Sequence, residues 1–256
     1  MTGLRIERRG ALMILTIDQE DRRNALDSAT SAALDQAVDE GERDPGVAVL
    51  ILTAVGPRAF CSGMDMKEAA ANGPGSGLIP GRGFGGITQR RRTKPLIAAI
   101  NGAAVAGGFE IALACDIVIA ARSAKFIQSF ANIGLIPDSG GTWVLPRLVG
   151  QARALGLAMT AEPLSAEKAE QWGLIWKCVD DEALEAESGA LARKFAAGPT
   201  RGLAATKRAI RESGLQTLDQ ALDNERDLMR ELGGSADYRE GVAAFMAKRA
   251  PVFTGG

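Results

Sequence analysis

Apolar positions along the chain alternate between short runs and helical stripes. Residues 4–8 and 11–18 are rich in β-formers and are separated by Arg9-Gly10, which predicts a hairpin. Ala33, Leu34, Ala37 and Val38 then share one stripe, predicting a helix that ends near Gly41. VAVLILTAV (47–55), KPLIAAI (94–100) and DIVIAA (116–121) are near-continuous apolar runs, the pattern of strands buried on both faces. Asn101-Gly102 turns the second run, and Ala106-Gly107-Gly108 opens a short apolar helix, FEIALAC, before the third. From about 181 onward the pattern is helical, over 181–196, 200–212, 217–232 and 236–248. Strands alternating with helices predict an α/β core, assigned to 1–196, followed by a helical region over 197–256. No linker or internal repeat is visible. NGPGSGLIPGRGFGG (72–86) reads as a mobile surface loop. A phosphate loop does not fit there, because no Lys-Ser/Thr pair closes it and no buried strand leads into it.

Composition narrows the function. A formal net charge of −1 over 256 residues provides no basic field for nucleic acid or a membrane surface. No apolar run approaches the length of a membrane-spanning helix, and the N-terminal stretch does not read as a signal peptide. Cys61, Cys115 and Cys178 form no CxxC pair, which argues against a disulfide framework or zinc site and for a reducing, cytoplasmic compartment. The chain has no histidine. Histidine bases, Ser-His and Cys-His nucleophile systems and histidine-ligated metals are therefore excluded, and with Tyr238 the one tyrosine, carboxylates become the leading proton carriers.

Three stretches could carry chemistry. In AFCSGMDM (59–66), Gly63 permits close approach of a ligand to the backbone and leaves the Met64 N–H free to point outward; the plain alternative is a strand-to-helix turn with Asp65 near the helix start. In AGGFEIALACD (106–116), glycines at a helix N-terminus expose backbone N–H groups to an anion. Glu110, one turn in among Phe109, Ile111, Ala112 and Leu113, must be paired, protonated or functional if buried. In IGLIPDSGGTW (133–143), Asp138 is either an N-cap for the helix beginning near Gly140 or a proton carrier. Two backbone donors, from Met64 and Gly107, with one or two carboxylates nearby suit chemistry through an enolate.

AFCSGMDM, KPLIAAINGAAVAGGFEIALACDIVIAARSAKF, IGLIPDSGGTWVLPRLVG and AEQWGLIWKCVDD, in this order, resemble the enoyl-CoA hydratase/isomerase superfamily, the crotonases, from about residue 4 to the end of the chain. The resemblance implies a spiral of ββα units with a C-terminal helical trimerisation region, assembling as a trimer or dimer of trimers. It implies an acyl-CoA thioester substrate with no separate cofactor and no metal, the thioester oxygen lying between the N–H groups of Met64 and Gly107. Arg23, Ala25, Leu26, Ala59, Ser62, Gly63, Asp65, Met66, Gly108 and Phe130 match CoA- and substrate-binding positions, and Phe245 and Lys248 match positions that reach CoA, sometimes across subunits. Arg90, Arg91 and Arg92 read either as contacts for CoA phosphates or as a solvated charged face.

The family places catalytic carboxylates at three positions. Glu110 occupies the first, Phe130 stands at the second, where hydratases carry a glutamate, and Asp138 occupies the third. Within the superfamily, IGLIPDSGGTW, EQWGLIWKCVDDEAL and DYREGVAAFMAKR are most similar to the branch of ring-1,2-epoxyphenylacetyl-CoA isomerases, in which asparagine is common at the position of Glu110. The resemblance thus implies an isomerase using Asp138, with association with a hydratase of the same pathway as a further expectation. A hydratase working from Glu110 and a non-catalytic acyl-CoA-binding subunit are the alternatives.

Overall fold

The structure is a computed structural model describing residues 2–72 and 77–256. The hairpin forms as Leu4–Arg9 and Leu12–Ile17, antiparallel and in register from Leu4–Ile17 to Arg9–Leu12. It continues into a six-stranded sheet through Val49–Ala54, Leu96–Ile100, Ile117–Ala121 and Lys177–Val179, all parallel to Leu12–Ile17. Side-chain alternation explains why the central strands read as continuous apolar runs. Val49, Ile51, Ile97, Ala99, Ile119 and Ala121 pack on one face against Leu184 and Ala192 of helix Leu184–Ala196. Leu50, Leu52, Leu96, Ala98 and Ile100 pack on the other, against Phe60, Phe109 and Phe126.

A second sheet has the order Leu164–Ser165, Lys125–Ile127, Ala103–Val105, Ala59–Cys61, and its three last-named strands are parallel. Each of three long strands of the first sheet is followed by a short strand of the second, then by a helical segment. Val49–Ala54 leads to Ala59–Cys61 and helix Met66–Asn72, and Leu96–Ile100 to Ala103–Val105 and helix Gly107–Ala114. Ile117–Ala121 leads to Lys125–Ile127 and the 3₁₀ turn Ser129–Ile133. Because the strands keep the same neighbours in both sheets, the chain winds as a spiral of ββα units. This repeat is absent from the sequence pattern because each unit fills a different part of the core with different residues.

The first helix runs Ser28–Arg43 and ends just past Gly41, which is buried where a side chain would press on Leu50 and Met13. One expectation is corrected. Residues 73–76 of the expected mobile loop lie outside the described residues, but 77–86 are not loose. Leu78–Ile79 pairs with Gly83–Phe84, and Phe84 is buried with its ring against Gly107.

The chain ends in helices Thr200–Ser213, Leu218–Gly233 and Ala236–Met246. Thr217 and Gln220 form a reciprocal capping box at the second, and Ser235 caps the third through the Tyr238 N–H. Lys207 and Arg211 tie the first to the core by sharing the Asp116 carboxylate at 2.8 and 2.7 Å. Among the described residues, no helix is long and apolar enough to cross a membrane.

Candidate active site

The second-sheet strands aim their C-terminal ends at one corner. After Ala59–Cys61 the chain pairs with residue 26: the Leu26 N–H donates to Gly63 O at 2.8 Å and the Asp65 N–H to Leu26 O at 2.9 Å. In a parallel bridge of this kind the residue between, Met64, turns its own N–H to the opposite side. Among the described residues that N–H meets no acceptor. Gly63 has φ +93°, and a Cβ there would lie 3.3 Å from the Gly107 nitrogen, so the two glycine-bearing stretches are adjacent in space.

Ala103–Val105 ends at Ala106, which has φ 46° and ψ −119°, a costly conformation for an L-residue with a side chain. Its N–H is anchored to Ile127 O at 2.9 Å, and the strained corner sends the chain directly into helix Gly107–Ala114. The Gly107 N–H, at the positive end of that helix, has no acceptor among the described residues. Met64 and Gly107 therefore present two unsatisfied backbone donors at neighbouring positions.

Glu110 lies one turn further along this helix and is 1 % exposed. The Gln128 amide Nε2 donates to its Oε1 at 2.8 Å, while its Oε2 has no partner among the described residues. Burial drives the carboxyl up to about 8, with the nearby Asp138 carboxylate pushing the same way and the Gln128 bond opposing them. Gly141 joins the two acidic residues. Its N–H donates to Asp138 O at 2.7 Å, and a Cβ on it would collide with the Glu110 carboxyl.

Asp138 itself is exposed, and its carboxylate caps nothing. Helix Gly141–Val149 starts from Gly140, φ +99°, with no side-chain cap bond, so the N-cap reading of Asp138 is overturned. Two left-handed residues, Ser139 and Gly140, intervene between it and the helix. Phe130 sits on the 3₁₀ turn Ser129–Ile133 with a buried ring.

The other expected residues divide. Arg23 (φ 54°) and Met66 are exposed, and Ser62 is half-buried beside them. Ala25, Leu26 and Ala59 are buried, leaving only backbone to meet a ligand, and Ala59 O already accepts from Asn24. Asp65 is buried and caps helix Met66–Asn72 through the Lys67 and Glu68 N–H groups while accepting from Arg22, so its carboxylate is a cap rather than a ligand contact. Gly108 is pressed against the Cys61 carbonyl, where there is no room for a side chain. Phe245 and Lys248 belong to the end of the chain whose helix packs on Leu218–Gly233, and Phe245 is 81 % exposed. Arg90 and Arg92 are buried, which removes the solvated-face reading for them: Arg90 binds Asp35 and Asp39, and Arg92 donates to the Ile87 and Ala114 carbonyls.

Gln128, Ala106 and Gly141 were not anticipated. The one available signal was Gln128 as the single amide in the apolar stretch KFIQSF.

Two sheets wound as ββα turns, with paired backbone donors at the ends of the second-sheet strands, define a crotonase. The model of the enoyl-CoA hydratase/isomerase family matches residues 7–256, and the chain belongs to that family. It is 46 % identical to the 1,2-epoxyphenylacetyl-CoA isomerase of Escherichia coli K12, over 95 % of each chain. It is 43 % identical to a probable enoyl-CoA hydratase of Rhodobacter capsulatus, over 98 % of each. The solved structure of an enoyl-CoA hydratase from Mycobacterium tuberculosis superposes with a TM-score of 0.93 at 36 % identity, covering 100 % of both chains.

Proposed function

We propose that this protein is an acyl-CoA isomerase working through a thioester enolate, with ring-1,2-epoxyphenylacetyl-CoA and 3-enoyl-CoA esters as its substrates. The observation that carries the reading is the contrast between its two acidic groups. Asp138 is exposed, while Glu110 is buried and holds its proton near neutral pH, and Phe130 offers no third carboxylate. On a 3-enoyl-CoA, the Asp138 carboxylate takes a C2 proton and the electron pair moves onto the thioester oxygen. The Met64 and Gly107 N–H groups hold that oxygen; a single donor of this kind is worth on the order of 10²–10³ in rate. Collapse of the enolate forms the C2–C3 double bond, and C4 takes the proton back from Asp138. The identity to the E. coli isomerase supports the ring-epoxide branch.

A hydratase is the second reading, favoured by the Glu110–Gln128 pair and by the name of the Rhodobacter relative. The two are separated by assaying Asp138→Asn and Glu110→Gln on 3-enoyl-, 2-enoyl- and ring-epoxide CoA esters. Asp138→Asn is expected to lose isomerisation by about 10²-fold or more while binding CoA esters normally. Full isomerase activity in that variant would remove Asp138 as the base, and 2-enoyl hydration that disappears in Glu110→Gln would replace the isomerase with the hydratase. The same proposal includes a trimer or dimer of trimers, which would cover the exposed Leu218, Leu222, Met229 and Phe245, and a cytoplasmic location.

A further inference from the structure

At the opposite end of helix Gly107–Ala114 from the donor corner, about 12 Å away along its axis, lies a second concavity. It is a cleft of about 630 Å³ between residues 88–93 and helices Thr200–Ser213 and Leu218–Gly233. Arg91, Arg92, Arg201, Lys207, Arg208 and Arg211 line it. The carboxylates at hand are Glu212 and Glu231 on its wall, Glu42 bonded to Thr93 at its edge, and Asp116 beneath it, already shared by Lys207 and Arg211. Arg201 takes Glu231 at 3.3 Å. Arg91, Arg92 and Arg208 have no ion pair among the described residues.

Arg92 is the telling one. It is 7 % exposed, spends two N–H groups on carbonyls, and its Nε has no partner among the described residues. Burial presses on its charge, with Asp116 and Glu42 opposing and Arg211 adding, and burial likewise pushes Lys207 down against its Asp116 ion pair, with Arg92 and Arg211 adding to it. A chain of net charge −1 thus concentrates an excess of positive charge in one cleft. Buried or crowded cations without counter-ions are costly unless an anion completes them. Guanidinium forks at Arg91 and Arg208 suit phosphate oxygens. Ala204, Ala205, Leu215 and Leu232 supply an apolar wall beside them, and the volume is that of a nucleotide-sized ligand.

We propose that this cleft binds a phosphate ester of nucleotide size at a place separate from the acyl-CoA site. The proposal stands apart from the isomerase reading, since its test measures binding and not turnover.

ADP and inorganic pyrophosphate serve as probes, titrated calorimetrically into the full-length protein at ~20 mM and ~200 mM salt, with and without saturating acetyl-CoA. The expected result is saturable ADP binding that persists with acetyl-CoA present, weakens with salt, and falls about 10-fold or more in Arg91→Gln/Arg208→Gln. Both side chains are exposed and make no ion pair, so neutral replacement leaves the fold intact. Arg226→Gln/Arg230→Gln, a charge-matched change on helix Leu218–Gly233 outside the cleft, is expected to bind as the parent does. Absence of saturable binding, equal loss in both variants, or displacement of ADP by acetyl-CoA would each overturn the proposal; the last would assign the heat to the pocket for the CoA nucleotide.

Discussion

Glu110 shows how much one side chain can depend on its surroundings. Its carboxyl is enclosed by its own apolar helix and the backbone of Gly141, with one amide N–H for a partner. In the unfolded chain it ionises as an ordinary glutamate; in the folded protein it stays protonated to about pH 8. The folded state therefore binds the extra proton between these values, and stability declines as pH rises from about 4.5 to about 8, levelling off above that. Glu110→Gln removes this slope. Its stability relative to the parent is expected to grow across that window by up to a few kcal/mol, read from urea midpoints at a series of pH values. Parallel pH profiles for parent and variant would show that Glu110 ionises normally in the folded state. At this scale the sequence identified Asp138 and Glu110 as the acidic pair but not their difference. Asp and the glycines after it match a helix cap in composition, whereas the left-handed turn at Ser139-Gly140 that detaches Asp138 from the helix is a backbone conformation.

At the scale of the element, the long strands and helices were readable and the short strands were not. Val49–Ala54, Leu96–Ile100 and Ile117–Ala121 carry enough apolar residues to show that both faces are buried. Ala59–Cys61, Ala103–Val105 and Lys125–Ile127 have three residues each, too few for any periodicity, yet they form the second sheet and end at the candidate site. Helix Gly107–Ala114 is seated on that sheet through Gly108. Gly108→Ala would drive a methyl into the Cys61 backbone, 2.8 Å from its carbonyl carbon. The helix must lift, and a loss of about 1–3 kcal/mol is expected in urea unfolding. Turnover should fall with it, because the Gly107 N–H moves away from Met64; unchanged stability and turnover would mean that the seat is not tight.

Across the whole molecule, the C-terminal helices are held to the spiral by few polar ties. Asp116 is the main one: it accepts from Lys207 and Arg211 on helix Thr200–Ser213 and from the Leu96 N–H of the core sheet. Replacing it with asparagine leaves Lys207, which is largely buried, without its counter-ion. A loss of about 3 kcal/mol is expected in thermal unfolding, partly recovered by Asp116→Asn/Lys207→Met. A double variant no better than the single would place the loss in the Leu96 bond instead.

The order and class of the long elements, the histidine-free chemistry and the family were determined by the sequence, because long apolar periodicities and long motifs are local properties of a chain. Tertiary structure decided which residues meet. It set the Gly63 backbone beside the Gly107 nitrogen, supplied Gln128 to Glu110, freed Asp138 from the cap, and brought Arg208, distant in sequence, to Arg91 and Arg92 in one cleft. Burial, strain and proximity across the sheets come from packing the whole chain, so no window of residues records them.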